Sequence, residues 1–122
     1  LCDFNGDGKI DLAVSQNGGA TKLYVNQTSK AGFRIHLIGS PSNRNAIGSS
    51  IRLIYQNGTK GPKREIQAGS GYWSQNNSTQ VLGYANSLKP IAILVEWFNG
   101  KKERVRLKPN KRRYVIHWQG KN

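Results

Sequence analysis

Cysteine occurs once in this chain, methionine not at all and histidine twice, while aspartate and glutamate together number six against 19 lysines and arginines. Each shortage closes off a class of function. A lone thiol, Cys2, cannot build an internal disulfide framework and reads as a small buried residue. No apolar run approaches the ~18–20 residues needed to span a bilayer as a helix; the longest, Ile91 to Val95, reads as a buried strand. The two histidines, His36 and His117, neighbour no pattern for a nucleophile. Paired carboxylates for glycoside hydrolysis would have to come from Glu65, Glu96 and Glu103. Each of these sits among strand residues, where an ion pair with a nearby arginine is the expected role. The chain is therefore expected not to be an enzyme.

The net charge of +13 is spread unevenly. Asp3, Asp7 and Asp11 are half of all the acids and fall within the first eleven residues beside a single lysine, so the remainder carries 18 cations against three acids. One end is built for a cation; the rest would attract polyanions.

No helical period runs for a useful length, whereas alternation does. Residues 11–26 read as a hairpin turning at Asn17-Gly18-Gly19. Phe33, Ile35 and Leu37 alternate with Arg34 and His36, and Ile51, Leu53 and Tyr55 share a face. Strands are also expected near Lys63–Gln67, Thr79–Leu82, Ile91–Phe98, Lys101–Leu107 and Tyr114–Trp118, with Asn57-Gly58 and Asn99-Gly100 as turns. The expected fold is all-β: a partial β-propeller blade, made of a hairpin with a calcium loop, followed by a small antiparallel β-sandwich or barrel-like domain. Residues 1–27 form the first unit, 28–32 a linker, 33–118 the second unit and 119–122 a tail. Because the first motif begins at Asp3, the chain reads as a piece of a longer protein.

That motif, Asp3-Phe-Asn-Gly-Asp-Gly-Lys-Ile-Asp11, sets side-chain oxygens at positions 1, 3, 5 and 9, a glycine at position 6, and the Lys9 carbonyl at position 7. Calcium takes six to eight oxygens, and alternate residues of a tight loop can all point inward. The expected ligands are Asp3, Asn5, Asp7, Lys9 and Asp11, and the expected cofactor is Ca2+. An EF-hand would need glutamate at position 12, where Val14 stands. With its acid at position 9 and the strand-like residues 12–14 following, the loop resembles that of FG-GAP and VCBS propeller repeats.

From Phe33 to Trp118 the chain resembles the ASPIC/UnbV domain, which follows such repeats in secreted and surface proteins. The residues that carry the resemblance are Asn43-Arg-Asn-Ala-Ile-Gly48, Arg64-Glu65, Gly69-Ser-Gly-Tyr72, Ser74-Gln75, Val95-Glu-Trp97 and Asn99-Gly100. Two features depart from that pattern: a histidine-bearing segment is reduced to Val81-Leu-Gly-Tyr84, and Phe98 replaces the proline after the tryptophan. No role tied to that histidine carries over. The resemblance implies an extracellular location, secreted or at the cell surface, and partnership with a propeller. Sequons at Asn26, Asn57, Asn76 and Asn77 agree with export.

Two surfaces are candidates for binding. Tyr72, Trp73 and Gln75 read as turn residues or as a sugar platform, aromatic faces stacking on pyranose rings. Lys101, Lys102, Arg104, Arg106, Lys108, Lys111, Arg112 and Arg113 read as a solvated face or as a polyanion site. No RRM, KH or zinc-finger pattern accompanies the charge, so nucleic acid is not an expected partner. The leading reading is a non-enzymatic, calcium-binding adhesion or interaction module that contacts protein or polysaccharide. The alternatives are a self-associating structural subunit of an extracellular assembly, or a polyanion-binding domain.

Overall fold

Strand β3, Phe33–Ile38, shows how the sequence sets the architecture: Phe33, Ile35 and Leu37 turn inward and are buried, while Arg34, His36 and Ile38 face the other way. In a computed structural model of the chain, residues 1–27 and 30–120 are described. Thr28 and Ser29 of the expected linker, and Lys121 and Asn122 of the expected tail, lie outside the described residues.

Eight further strands accompany β3: β1 Leu12–Gln16, β2 Gly19–Tyr24, β4 Ser50–Tyr55, β5 Arg64–Glu65, β6 Gln80–Leu82, β7 Pro90–Glu96, β8 Lys102–Arg106 and β9 Arg113–His117. They form three sheets in the orders β1-β2, β6-β3-β9 and β5-β4-β7-β8. Among the described residues the fold is all-β with no helix, and no sheet closes into a barrel.

The two larger sheets share one core. Phe33, Ile35 and Leu37 of β3, with Tyr114 and Ile116 of β9, meet Ile51, Leu53 and Tyr55 of β4 and Ile93 and Val95 of β7. Burying a side chain of this size contributes about 1.5–3 kcal/mol relative to exposure. Trp97 and Trp118 close one end of the core edge to face, at 5.2 Å between ring centroids.

The domain is antiparallel as expected except at one pair. β3 and β9 run parallel, with Arg34 opposite Arg113 and His36 opposite Val115. A parallel pair needs a long crossover, and here the whole β4–β8 segment supplies it. The remaining pairs are antiparallel.

The segment Asn43 to Gly48 links β3 to β4, and the Asn43 side chain braces it alongside backbone bonds. Asn43 accepts from the Ile47 N–H at 3.0 Å through Oδ1 and donates to the Ile47 carbonyl at 2.9 Å through Nδ2. This clamp fixes Ala46, which is fully buried, at φ 53°.

Hairpin β1-β2 differs from the rest in having no buried side. Leu12 pairs with Tyr24 and Ala13 with Leu23, which puts apolar residues on both faces, and Leu12, Leu23, Tyr24 and Val25 are 41–54% exposed.

Candidate functional site

The loop of residues 3–10 is closed at its base by an antiparallel bridge, with the Cys2 N–H donating to the Asp11 carbonyl at 3.2 Å and the Asp11 N–H to the Cys2 carbonyl at 2.7 Å. Within it, Gly6 and Gly8 have φ of +75° and +83°, which side chains rarely tolerate. A Cβ on Gly6 would also stand 2.6 Å from Arg113 Nη2.

The loop's oxygens turn toward amides. Asn5 Oδ1 accepts from the Asp7 N–H at 3.1 Å, and Asp7 Oδ1 accepts from the Lys9 N–H at 2.9 Å. Asp11 Oδ1 accepts from the Asn26 N–H at 2.9 Å and its Oδ2 from the Phe4 N–H at 2.8 Å. The Asn26 and then the Phe4 amide hold the Asp11 carboxyl below its ordinary range. Asp3 Oδ2 accepts from the Gly8 N–H at 3.0 Å and from Arg34 Nη1 at 3.2 Å.

The five expected ligands therefore divide by depth. Asp3 and Asp11 are buried, at 6% and 1% exposure, Lys9 is half-buried, and Asn5 and Asp7 are exposed. Among the described residues, no three Asp, Glu, His or Cys side chains group as a metal set. One atom stands out: Asp3 Oδ1 is buried and has no hydrogen-bond partner. A buried carboxylate oxygen left unsatisfied is costly, and an ion or an ordered water is its ordinary explanation. The loop around it carries the hard oxygen donors that calcium selects, and the Arg34 guanidinium sits on the neighbouring Oδ2.

Sequence reasoning missed what the loop sits on. Arg34 projects from β3 and Arg113 from β9, and the parallel register sets them side by side on the outward face of the sheet. Arg34 pairs with Asp3, and Arg113 Nη2 donates to the Gly6 carbonyl at 2.6 Å. The Gly32 N–H adds a bond to the Gly8 carbonyl at 2.8 Å. Two guanidinium groups from strands far apart in sequence thus seat one loop. Alternation marked Arg34 as outward-facing, but its partner depends on a pairing of β3 with β9 that no local pattern announces.

The eight candidate polyanion cations do not act as one patch. Lys102, Arg104 and Arg106 point outward from β8 in a row and are exposed. Arg113 holds the loop. Arg112 donates to the Ala31 carbonyl at 3.1 Å and to the Tyr84 hydroxyl at 3.2 Å. Lys111 lies 5.0 Å from the Tyr114 ring centroid and Lys101 5.5 Å from that of Trp118, while Lys108 is exposed.

Tyr72 and Trp73 stand in solvent at 92% and 90% exposure, with Gln75 exposed beside them. Their rings meet at 78° with centroids 6.1 Å apart, so a single sugar ring can lie flat on one of them but not on both. For Glu96 and Glu103 the expected ion pairs with arginine are replaced by other contacts. Glu96 accepts from Lys63 at 3.5 Å, and Glu103 accepts from the Trp97 indole N–H at 3.1 Å. His36 Nδ1 lies 3.1 Å from Thr79 Oγ1.

No curated protein and no solved structure matches the chain. A family model described as ASPIC and UnbV matches residues 39–122. The matched span holds the Asn43 clamp, β4 through β9 and the Trp97–Trp118 contact, and it makes the chain a member of the ASPIC and UnbV family.

Proposed function

We propose that this chain is a non-enzymatic binding module of a secreted or cell-surface protein, in which a calcium ion braces residues 3–11 against the β-domain. The observation that carries the reading is Asp3 Oδ1, buried and unpartnered in a loop of oxygen donors. Asp3, the side chains of Asn5 and Asp7, the Lys9 carbonyl and Asp11 would hold the ion. An ionised carboxylate has about four acceptor sites, so oxygens already bound to amides keep capacity for a cation. Arg34 occupies Oδ2 and leaves Oδ1 open. When bound, calcium supplies charge that offsets the crowded carboxylates; the remaining residues give the loop its shape and its seat. The exposed sequons at Asn57, Asn76 and Asn77 support an extracellular location.

Thermal unfolding with calcium, with magnesium and with chelator tests this. Calcium at a hundred times its Kd should raise the midpoint by about 10 °C, magnesium should do less, and Asp3→Ala should abolish the calcium response. A midpoint indifferent to calcium removes the metal from the reading.

A second reading, a structural subunit, draws on the β1-β2 hairpin, whose apolar residues are exposed on both faces. The occupant that reading requires is a neighbouring copy of the chain.

A further inference from the structure

We propose that the open edge of β8 is a docking strand for an acidic, extended polypeptide segment. This partner rests on, and deepens, the reading of the chain as a binding module, but it does not depend on the calcium.

β8 is the last strand of its sheet and pairs on one side with β7. The Leu107 N–H donates to the Ile91 carbonyl, and the Lys101 carbonyl accepts from the Trp97 N–H, so odd-numbered residues here direct their backbone groups toward β7. Alternation then turns the N–H and C=O groups of Lys102, Arg104 and Arg106 toward the open edge. These same three residues carry the outward cations.

Three observations choose the partner. First, cations dominate this face: Arg104 and Arg106 lie opposite Leu94 and Ala92, and of the two nearby acids Glu96, opposite Lys102, also accepts from Lys63, while Glu103 is turned toward Trp97. Arg52 adds a fourth cation to this face, because it lies opposite Leu94, which in turn lies opposite Arg104. Second, an open groove of about 870 Å³ at the end of the strand is lined by apolar Ile91, Ala92 and Leu107 together with Lys89, Arg104 and Arg106. A lining that mixes apolar and cationic side chains fits a chain that alternates apolar and acidic ones. Third, strand addition uses the edge backbone groups, and a polysaccharide has no matching ladder to offer. Cations on an edge strand also deter pairing with apolar or like-charged strands. That is the ordinary reason to find them there, and it leaves an acidic strand as the one they admit.

In such a complex the segment runs along β8, with Asp or Glu opposite Lys102, Arg104 and Arg106 and β-branched residues between them. The test is fluorescence anisotropy of a labelled heptapeptide, Glu-Val-Glu-Val-Glu-Val-Glu, at about 0.15 M salt, where distant surface charges are screened. A second heptapeptide of identical charge is N-methylated at every internal amide so that neither edge can pair as a strand, and heparin serves as a polyanion without a peptide backbone. The plain peptide should bind, and the N-methylated one should bind at least about tenfold more weakly, a loss of about 1.4 kcal/mol. Arg104→Glu should lose binding by a similar factor, and Arg104→Gln by less. Equal binding of the two peptides, heparin competing at the same charge concentration, or no binding of either peptide overturns the proposal. Titrations in chelator separate this from the calcium reading: peptide binding should persist there, whatever calcium does to the unfolding midpoint.

Discussion

Tyr84 is the residue at which the cationic surface touches the core. Its ring lies 5.4 Å from Phe33 between centroids, and its hydroxyl accepts from Arg112. Arg112 holds the phenol below its ordinary value, and the Lys30 ammonium, 4.3 Å from the ring centroid, adds to the effect. The anion is therefore favoured in the folded chain. Stability from this source is absent at neutral pH, rises as pH climbs through the lowered folded value, and is complete above the unfolded value of about 10. An alkaline ultraviolet titration should show an early phenolate step that Tyr84→Phe deletes and Arg112→Gln moves upward. A step unmoved by Arg112→Gln would detach the two residues. At this scale the sequence was readable where chemistry is local. The Asp3 to Asp11 spacing announced an oxygen-rich loop, and Asn43 with its glycine-bearing segment announced a turn. Arg112 and Arg113 read locally as surface charge because their partners, Tyr84, Ala31 and Gly6, are tens of residues or more away.

At the scale of elements, the β7-β8 hairpin is the best-specified piece. The nearly continuous apolar run from Ile91 to Phe98 and the turn at Asn99-Gly100 announce it, and β7 and β8 pair from Ala92–Arg106 to Glu96–Lys102. Its pin is Trp97, almost fully buried, whose indole N–H donates to Glu103. Glu103→Ala leaves that donor without its acceptor and should cost about 1–3 kcal/mol in urea unfolding, whereas Glu103→Gln, which keeps an acceptor, should cost less. Equal losses would mean that Glu103 acts by charge instead. The parallel β3-β9 pair was not legible. Hairpin signals report neighbours in sequence, and β3 finds both its partners, β6 and β9, far along the chain. The seat of the loop on Arg34 and Arg113 follows from that pairing, so it was hidden for the same reason.

For the whole molecule, the division of charge seen in the sequence becomes a division of space. The acidic loop is held on one sheet by two arginines, and the cationic row lies on the outward face of the other. The β1-β2 hairpin stands apart from the shared core, and among the described residues no helix is long and apolar enough to cross a membrane. Light scattering across a concentration series distinguishes the two readings of the hairpin. A binding module should keep the mass of one chain; a mass that grows with concentration and returns to one chain in Leu23→Lys would assign the hairpin to assembly.

A crystal structure grown in millimolar calcium shows whether Asp3 Oδ1 faces a cation. An anomalous peak should stand in the loop with oxygens at about 2.3–2.6 Å, Asp3 Oδ1 among them. A water in that place, with Arg34 as the sole charge on Asp3 and no ion within the loop, would contradict it.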